Sequence, residues 1–300
     1  MAMVQMNRLE TLRDATNLLD QPTELQQQAS QDGYLFFSNL LDSTKVLNLR
    51  QKVMSICEKH GWTQSGTNCI EGLANLDLLV VEGGDPRWQD FYADVQRLSE
   101  FHQLALDENI IRVFEILFGE KVLPHSRNIC RLVFPNSSSH STPPHQDNLY
   151  IGGSTETWTA WIPCGDCPEM LGGLAVAKGS HRQGKLADKR AVGPGGRQVE
   201  VSDDQIWVGG DYICGDVMIL HSLTVHQGCD NLSGNKLRVS CDFRYQPRSH
   251  PIRSDSLMSH MCLLNWEQIY QDWEPNNPAK YYWKDWDLEI TGESYPTWDD

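Results

Sequence analysis

No run of apolar residues in this 300-residue chain is long enough to cross a membrane. The opening segment, MAMVQMNRLETLRDATNLLD, lacks the apolar stretch that directs secretion. Positive charge is scarce: 25 Lys and Arg stand against 40 Asp and Glu, a net charge of −15. Such a balance repels phosphates, which argues against nucleic acids and anionic membranes as partners. The nine cysteines are odd in number and follow no framework spacing. That suits free thiols in a reducing compartment, so the cytoplasm is the expected location. No internal repeat and no long Pro/Ser/Gly linker divides the chain. One domain over 1–300 is expected, large enough to bury a core without staples.

What is present changes character along the chain. Residues 1–125 read as mainly helical. TELQQQAS (23–30) is a helix ending before the turn signal Asp32-Gly33, and YLFFSNL (34–40) is a short strand. Asp42 is an N-cap for a helix reaching His60, with Val46, Leu47, Leu49, Val53 and Ile56 at helical spacing. Within Pro86–Phe118, Ile110, Val113, Phe114 and Leu117 make one apolar face. From about 126 to 250 short β-rich runs alternate with turn residues: ICRLVF, LYIGG, TWTAWI, GGLAVAKGS, GDYICGDVMILH and RVSCDFRYQP. Strands spaced in this way predict a jelly roll, two antiparallel sheets with a cavity at one end. Residues 251–300 form an extension rich in aromatics (Tyr281, Tyr282, Trp283, Trp286, Trp298), expected to pack on the core or to make a subunit contact.

Two short motifs carry chemistry. Cys164 and Cys167 form a CxxC, but Pro163 and Pro168 flank it and a loop is expected rather than a redox helix start. No second CxxC completes a zinc site. The other motif is PPHQDNLYIG at 143–152, which holds His145 and Asp147 two residues apart. On a strand these would face one side and converge on one ion. Imidazole with carboxylate suits a non-haem ferrous site, which needs one more histidine and keeps three positions open. His221 and His226 are both candidates. Their odd separation would put them on opposite faces of one strand; His221 follows VMIL, while His226 sits by a turn and is favoured. A bidentate keto-acid needs a buried arginine for its far carboxylate. Arg238 lies on the returning strand, with Ser240 and Arg244 on its face.

Together, PHQD, WIPCGDCPEMLGGLAVAKGSHRQG and HSLTVHQGCDNLSGNKLRVSCDFRYQP resemble the phytanoyl-CoA dioxygenase family, from DGYLFF at 32–37 through Pro247. The resemblance implies a double-stranded β-helix (jelly roll, cupin-like), mainly β with flanking helices. It implies a dioxygenase using Fe(II), 2-oxoglutarate and O2. His145, Asp147 and His226 become iron ligands. Arg238 pairs with the C5 carboxylate of 2-oxoglutarate, Ser240 supports it, and Thr142 and Trp161 contact the co-substrate. Asp147 disfavours halogenation, because chlorinating relatives carry a small residue there.

Substrate clues are sparser. Arg131, Gln146, Asn148, Tyr150 and Arg244 are candidates for the substrate pocket by position. The stretch 178–197 has six Lys/Arg and one acid and reads as a flap attracting an anion, or as a solvated loop. The expected activity is hydroxylation, or other oxidation of an unactivated C–H, of a small anionic metabolite or natural product. An acyl-CoA hydroxylase, a non-catalytic jelly-roll binding protein and a cupin-like enzyme without a keto-acid are the alternatives. A monomer and a homodimer are both compatible.

Overall fold

A computed structural model of the chain describes residues 9–78, 80, 85–136 and 141–292. Strand β1 (Leu9–Glu10) precedes helix α1 (Pro22–Asp32). Proline in the first turn of α1 forfeits no hydrogen bond, and Gly33 ends the helix at φ 73°. Strand β2 (Tyr34–Phe37) leads to α2 (Ser43–Lys59), where the Asp42 carboxylate accepts from the Thr44 amide as an N-cap. Helices α3 (Pro86–Gln96), α4 (Ser99–Leu104) and α5 (Glu108–Phe118) complete this half. Ile110, Val113 and Phe114 of α5 are fully buried, and Leu117 only partly. Both follow from an apolar stripe that narrows toward the helix end.

The second half supplies β3 (Val122–Pro124), β4 (Ile129–Val133), a short helix α6 (Asn148–Ile151), β5 (Trp158–Pro163) and β6 (Leu174–Ala177). A hairpin of β7 (Asp188–Arg190) and β8 (Arg197–Val199) follows, then β9 (Trp207–Val208), β10 (Val217–His221), β11 (His226–Gly228) and β12 (Arg238–Pro247). The larger sheet runs β2-β10-β5-β12-β3, with β4 also paired to β12; the smaller runs β1-β9-β6-β11. Tyr34, Phe36, Trp161, Met218 and Leu220 of the first pack with Leu174, Val176 and Val208 of the second in one buried cluster. The two sheets therefore lie face to face, as the strand pattern predicted.

Strand β12 shows how one stretch serves both core and cavity. Its ten residues are all buried. Val239, Cys241, Phe243 and Tyr245 join the main core against the helices, where Phe243 meets Phe101 and Tyr245 stacks on Phe114 with centroids 4.3 Å apart. By the period of two, Arg238, Ser240, Asp242 and Arg244 face the space between the sheets. The extension adds β13 (Ile252–Arg253), α7 (Trp266–Ile269) and β14 (Ile290–Thr291). Its aromatics pack on the core: Trp273 Nε1 donates to the Arg97 carbonyl at 2.7 Å, and the Tyr282 hydroxyl to the Pro124 carbonyl. Trp298 lies outside the described residues.

One expected strand is corrected. LYIGG, read as β-rich, is mostly the helical turn α6. The Asp147 carbonyl accepts from the Tyr150 and Ile151 amides, which starts the turn, and Gly152 ends it. Three apolar residues in a row carry no period that separates strand from helix.

Candidate metal and co-substrate site

Residues remote in sequence meet between the sheets. His145, Asp147 and His226 each place one donor atom within 4.8 Å of the others, and all three are buried. Asp147 Oδ1 lies 3.7 Å from His145 Nε2 and 3.9 Å from His226 Nε2. The two histidines face each other through their backbones. Each amide donates to the other's carbonyl at 3.0 Å, forming an antiparallel bridge that continues the smaller sheet beyond β11. Asp147 does not follow on that strand. Its φ of −62° and ψ of −29° turn the chain into α6. Convergence of His145 and Asp147 thus comes from a strand-to-helix turn, not from strand alternation as the spacing suggested.

His221 and His226 also part company for an unforeseen reason. His221 ends β10 in the larger sheet, and His226 begins β11 in the smaller one. They share no strand, so the parity argument does not apply. The turn between them is pinned to α1: His221 N and Thr224 Oγ1 both donate to the Gly33 carbonyl, at 3.0 and 2.7 Å. His221 Nδ1 accepts from the Leu223 amide, which faces it away from the cluster.

Hydrogen bonds set the state of each donor. The Pro143 carbonyl lies 2.8 Å from His145 Nδ1, and the Thr224 carbonyl 3.1 Å from His226 Nδ1. A carbonyl only accepts, so both Nδ1 atoms carry a proton, which turns both Nε2 atoms toward the cluster. Burial, then the neighbouring His145, pulls His226 down to about 4, so it is neutral near pH 7. Burial opposes ionisation of Asp147, yet the Arg244 guanidinium beside it holds its carboxyl well below the usual range. Thr159 Oγ1 donates to Asp147 Oδ2 at 2.5 Å, and Arg244 Nη2 lies 3.3 Å from Oδ1 and 3.4 Å from Oδ2. Two imidazoles and one carboxylate, all converging, fit a non-haem ferrous ion.

A cleft partly open to solvent lies beside this cluster. Arg238, Thr142, Trp161, Arg131 and Arg244 line it with the three donors. Arg238 is 4% exposed, and among the described residues its Nε has no hydrogen-bond partner; Ser240 Oγ, fully buried on the same face, also lacks one there. Leaving buried donors unmet costs about 1–3 kcal/mol each. A carboxylate seated in the cleft would satisfy Arg238, which is the fit expected for 2-oxoglutarate; Ser240 lies on the same strand face but does not line the cleft.

Other expectations land elsewhere. Gln146 does not line the cleft: its amide donates to the Gly184 and Leu223 carbonyls and its oxygen accepts from Leu186, so it staples a loop. Asn148 is buried in α6 and does not line the cleft either. Tyr150 sets its ring edge-on to His145 at 5.7 Å and donates to the Gly195 carbonyl, bracing the metal-facing imidazole from outside the cleft. The basic segment spends its charges locally. Lys189 pairs with Glu200, Arg197 with Asp188, and Arg182 donates to the Gln31 carbonyl. The CGDC loop holds buried free thiols; Cys164 Sγ lies 3.6 Å from Cys241 Sγ, and burial pushes Cys167 up to about 11. Thr159 and Asp242 were missed. Asp242 lines the cleft and accepts from Arg131 Nε at 2.7 Å. Parity with Trp161 and Arg238 was the available signal for both.

Comparison with known proteins agrees with this geometry. The profile described as phytanoyl-CoA dioxygenase (PhyH) matches residues 29–239. A 1-deoxypentalenic acid 11-beta-hydroxylase of Streptomyces arenae is 28% identical over 255 residues, 79% of this chain and 85% of that protein. Among solved structures, the alpha-ketoglutarate-dependent carbocyclase SnoK from nogalamycin biosynthesis aligns with a TM-score of 0.54 at 20% identity, over 82% of this chain and 92% of that one. The epimerase SnoN, solved with Fe3+, alpha-ketoglutarate and nogalamycin RO, aligns at 0.53 and 20%, over 77% and 85%. At such identities these two establish the shared fold. The chain belongs to the phytanoyl-CoA dioxygenase family of iron- and 2-oxoglutarate-dependent oxygenases.

Proposed function

We propose that this enzyme hydroxylates an unactivated C–H bond of a small natural product bearing a carboxylate. His145 Nε2, His226 Nε2 and Asp147 Oδ1 would hold the iron, and Arg238 with Ser240 the far carboxylate of 2-oxoglutarate. With dioxygen, this pair supplies the oxidation: R–H, 2-oxoglutarate and O2 become R–OH, succinate and CO2. The chain's own part is to bind, orient and keep water out. Trp161, Leu174 and Leu220 give the cleft apolar walls. Thr142 is a candidate co-substrate contact; Arg131 and Arg244 are candidate substrate contacts.

The observation that carries the reading is the pairing of three converging donors with an unpartnered buried arginine in one cleft. A carboxylate substrate is supported by the likeness to the 1-deoxypentalenic acid hydroxylase. Net charge of −15 speaks against an acyl-CoA, whose phosphates seek a basic surface. The test measures succinate from Fe(II), 2-oxoglutarate and O2 with a panel of small terpenoid and polyketide acids, including 1-deoxypentalenic acid, beside acyl-CoAs. Substrate-stimulated succinate with an acid, absent in His145→Ala, supports the reading. Stimulation by acyl-CoAs alone refutes the substrate class, and no succinate at all refutes the enzyme.

A further inference from the structure

A carboxylate can give a metal one oxygen or two. With two imidazoles, a one-oxygen carboxylate leaves three of six positions for a bidentate keto-acid and dioxygen. A two-oxygen carboxylate leaves only two. Nothing in an HxD motif decides between these modes; the surroundings of the aspartate do.

Those surroundings are asymmetric here. Thr159 on β5 and Arg244 on β12 are directly opposed across the two strands and share the face that looks between the sheets. Thr159 is 2% exposed, and its hydroxyl donates to Asp147 Oδ2 at 2.5 Å. A hydroxyl has one proton, and this one is committed. Arg244 Nη2 straddles the carboxylate, 3.3 Å from Oδ1 and 3.4 Å from Oδ2, so the asymmetry comes from the Thr159 hydroxyl alone. Asp147 Oδ1 is instead the oxygen that faces both Nε2 atoms, at 3.7 and 3.9 Å. Only Oδ2 thus receives the Thr159 hydroxyl, and Oδ1 is the oxygen turned toward both imidazoles.

We propose that Thr159 is a positioning residue that restricts Asp147 to one-oxygen coordination of the iron and so keeps the third open position available. The inference rests on the metal assignment above. Outer-shell hydrogen bonds of this kind typically change metal affinity about 10–100-fold when removed.

The test titrates Co(II), an oxygen-stable probe, into the metal-free protein. Affinity is read by calorimetry and coordination by the visible d–d absorption. Thr159→Val, which keeps the shape and loses the hydroxyl, is expected to bind Co(II) about 10–100-fold more weakly, with an altered d–d band. Thr159→Ser is expected to restore both affinity and band. Thermal unfolding shows whether each variant is folded, and Thr159→Ala replaces the valine variant if that one is not. Equal affinity and an unchanged band in the hydroxyl-free variant would overturn the role of Thr159. Absence of Co(II) binding by the unaltered protein would instead overturn the metal assignment itself.

Discussion

Two histidines away from the cleft make the protein sensitive to acid, and the size of the effect follows from their settings. His102 in α4 is buried, and both ring nitrogens are engaged. Its Nε2 donates to the Gln96 carbonyl at 2.9 Å, and the Asn128 amide donates to its Nδ1 at 3.1 Å. That pattern admits only the neutral ring. His125 is also buried, with Nε2 2.9 Å from Gln246 Oε1. Burial pulls each from 6.5 to about 4. The folded state therefore refuses a proton that the unfolded chain accepts below pH 6.5. Stability is full above pH 6.5, falls as pH drops through the window from 6.5 to 4, and then levels off. At about 1.4 kcal/mol per pH unit the full loss is about 3 kcal/mol for each ring. At pH 5 it is about 2 kcal/mol each, a large share of a typical total of about 5–15 kcal/mol. Urea denaturation at pH 7.5, 6.5, 5.5 and 5.0 measures this. Burial also pulls down His260 and, in the metal-free protein, His226, which adds losses of the same sign, so the comparison of variants decides. His102→Gln and His125→Gln should each remove about 2 kcal/mol of the pH-dependent loss by pH 5. A pH slope in both variants equal to that of the unaltered protein would refute the reasoning. Because His102 lies against Trp266 and Trp273, at 5.8 and 5.3 Å, tryptophan fluorescence should report the change.

Gly33→Ala should lower stability by about 2–4 kcal/mol, read as a fall in Tm. A Cβ there meets a φ of 73° and would sit 2.2 Å from His181 Nδ1 and 2.6 Å from Thr224 Oγ1. Arg238→Ala should raise the KM for 2-oxoglutarate about 10–100-fold through loss of charge-assisted hydrogen bonds, while Co(II) affinity stays within a few-fold. An unchanged KM would remove Arg238 from the co-substrate site. Phe243→Ala, in a fully buried position against Phe101, should cost about 3–5 kcal/mol in urea denaturation. In native protein a thiol reagent should modify exposed Cys262 fast and the other thiols slowly, since burial pushes Cys57 and Cys241 well up and half-buried Cys229 to about 12. Cys262→Ser should abolish the fast phase.

Periodic segments were legible in the amino-acid sequence and short ones were not. The helix at Ser43–Lys59 and the strand at Arg238–Pro247 announce themselves because their side chains repeat over several turns or pleats. The turn after Asp147 does not, since four residues hold barely one helical turn. Residue types at the cluster were readable from HxD, a distant histidine and a following arginine. How they converge was not, because a crossing between sheets at Ser222–Val225 leaves no period to detect. Gln146 sat close to the motif in sequence yet staples the loop, its amide committed to the Gly184 and Leu223 carbonyls. Thr159 acts from another strand, and only the cross-strand register with Arg244 reveals it.

The reciprocal main-chain bonds between His145 and His226 have a consequence for how the centre is loaded. The spacing of the two imidazoles is guaranteed by the fold's own ladder rather than by whatever cation sits between them. A chelator should therefore strip the ion and leave the socket standing, with little entropy to surrender when the ion returns. Exchange of one divalent ion for another becomes a matter of availability and ligand preference, not of refolding.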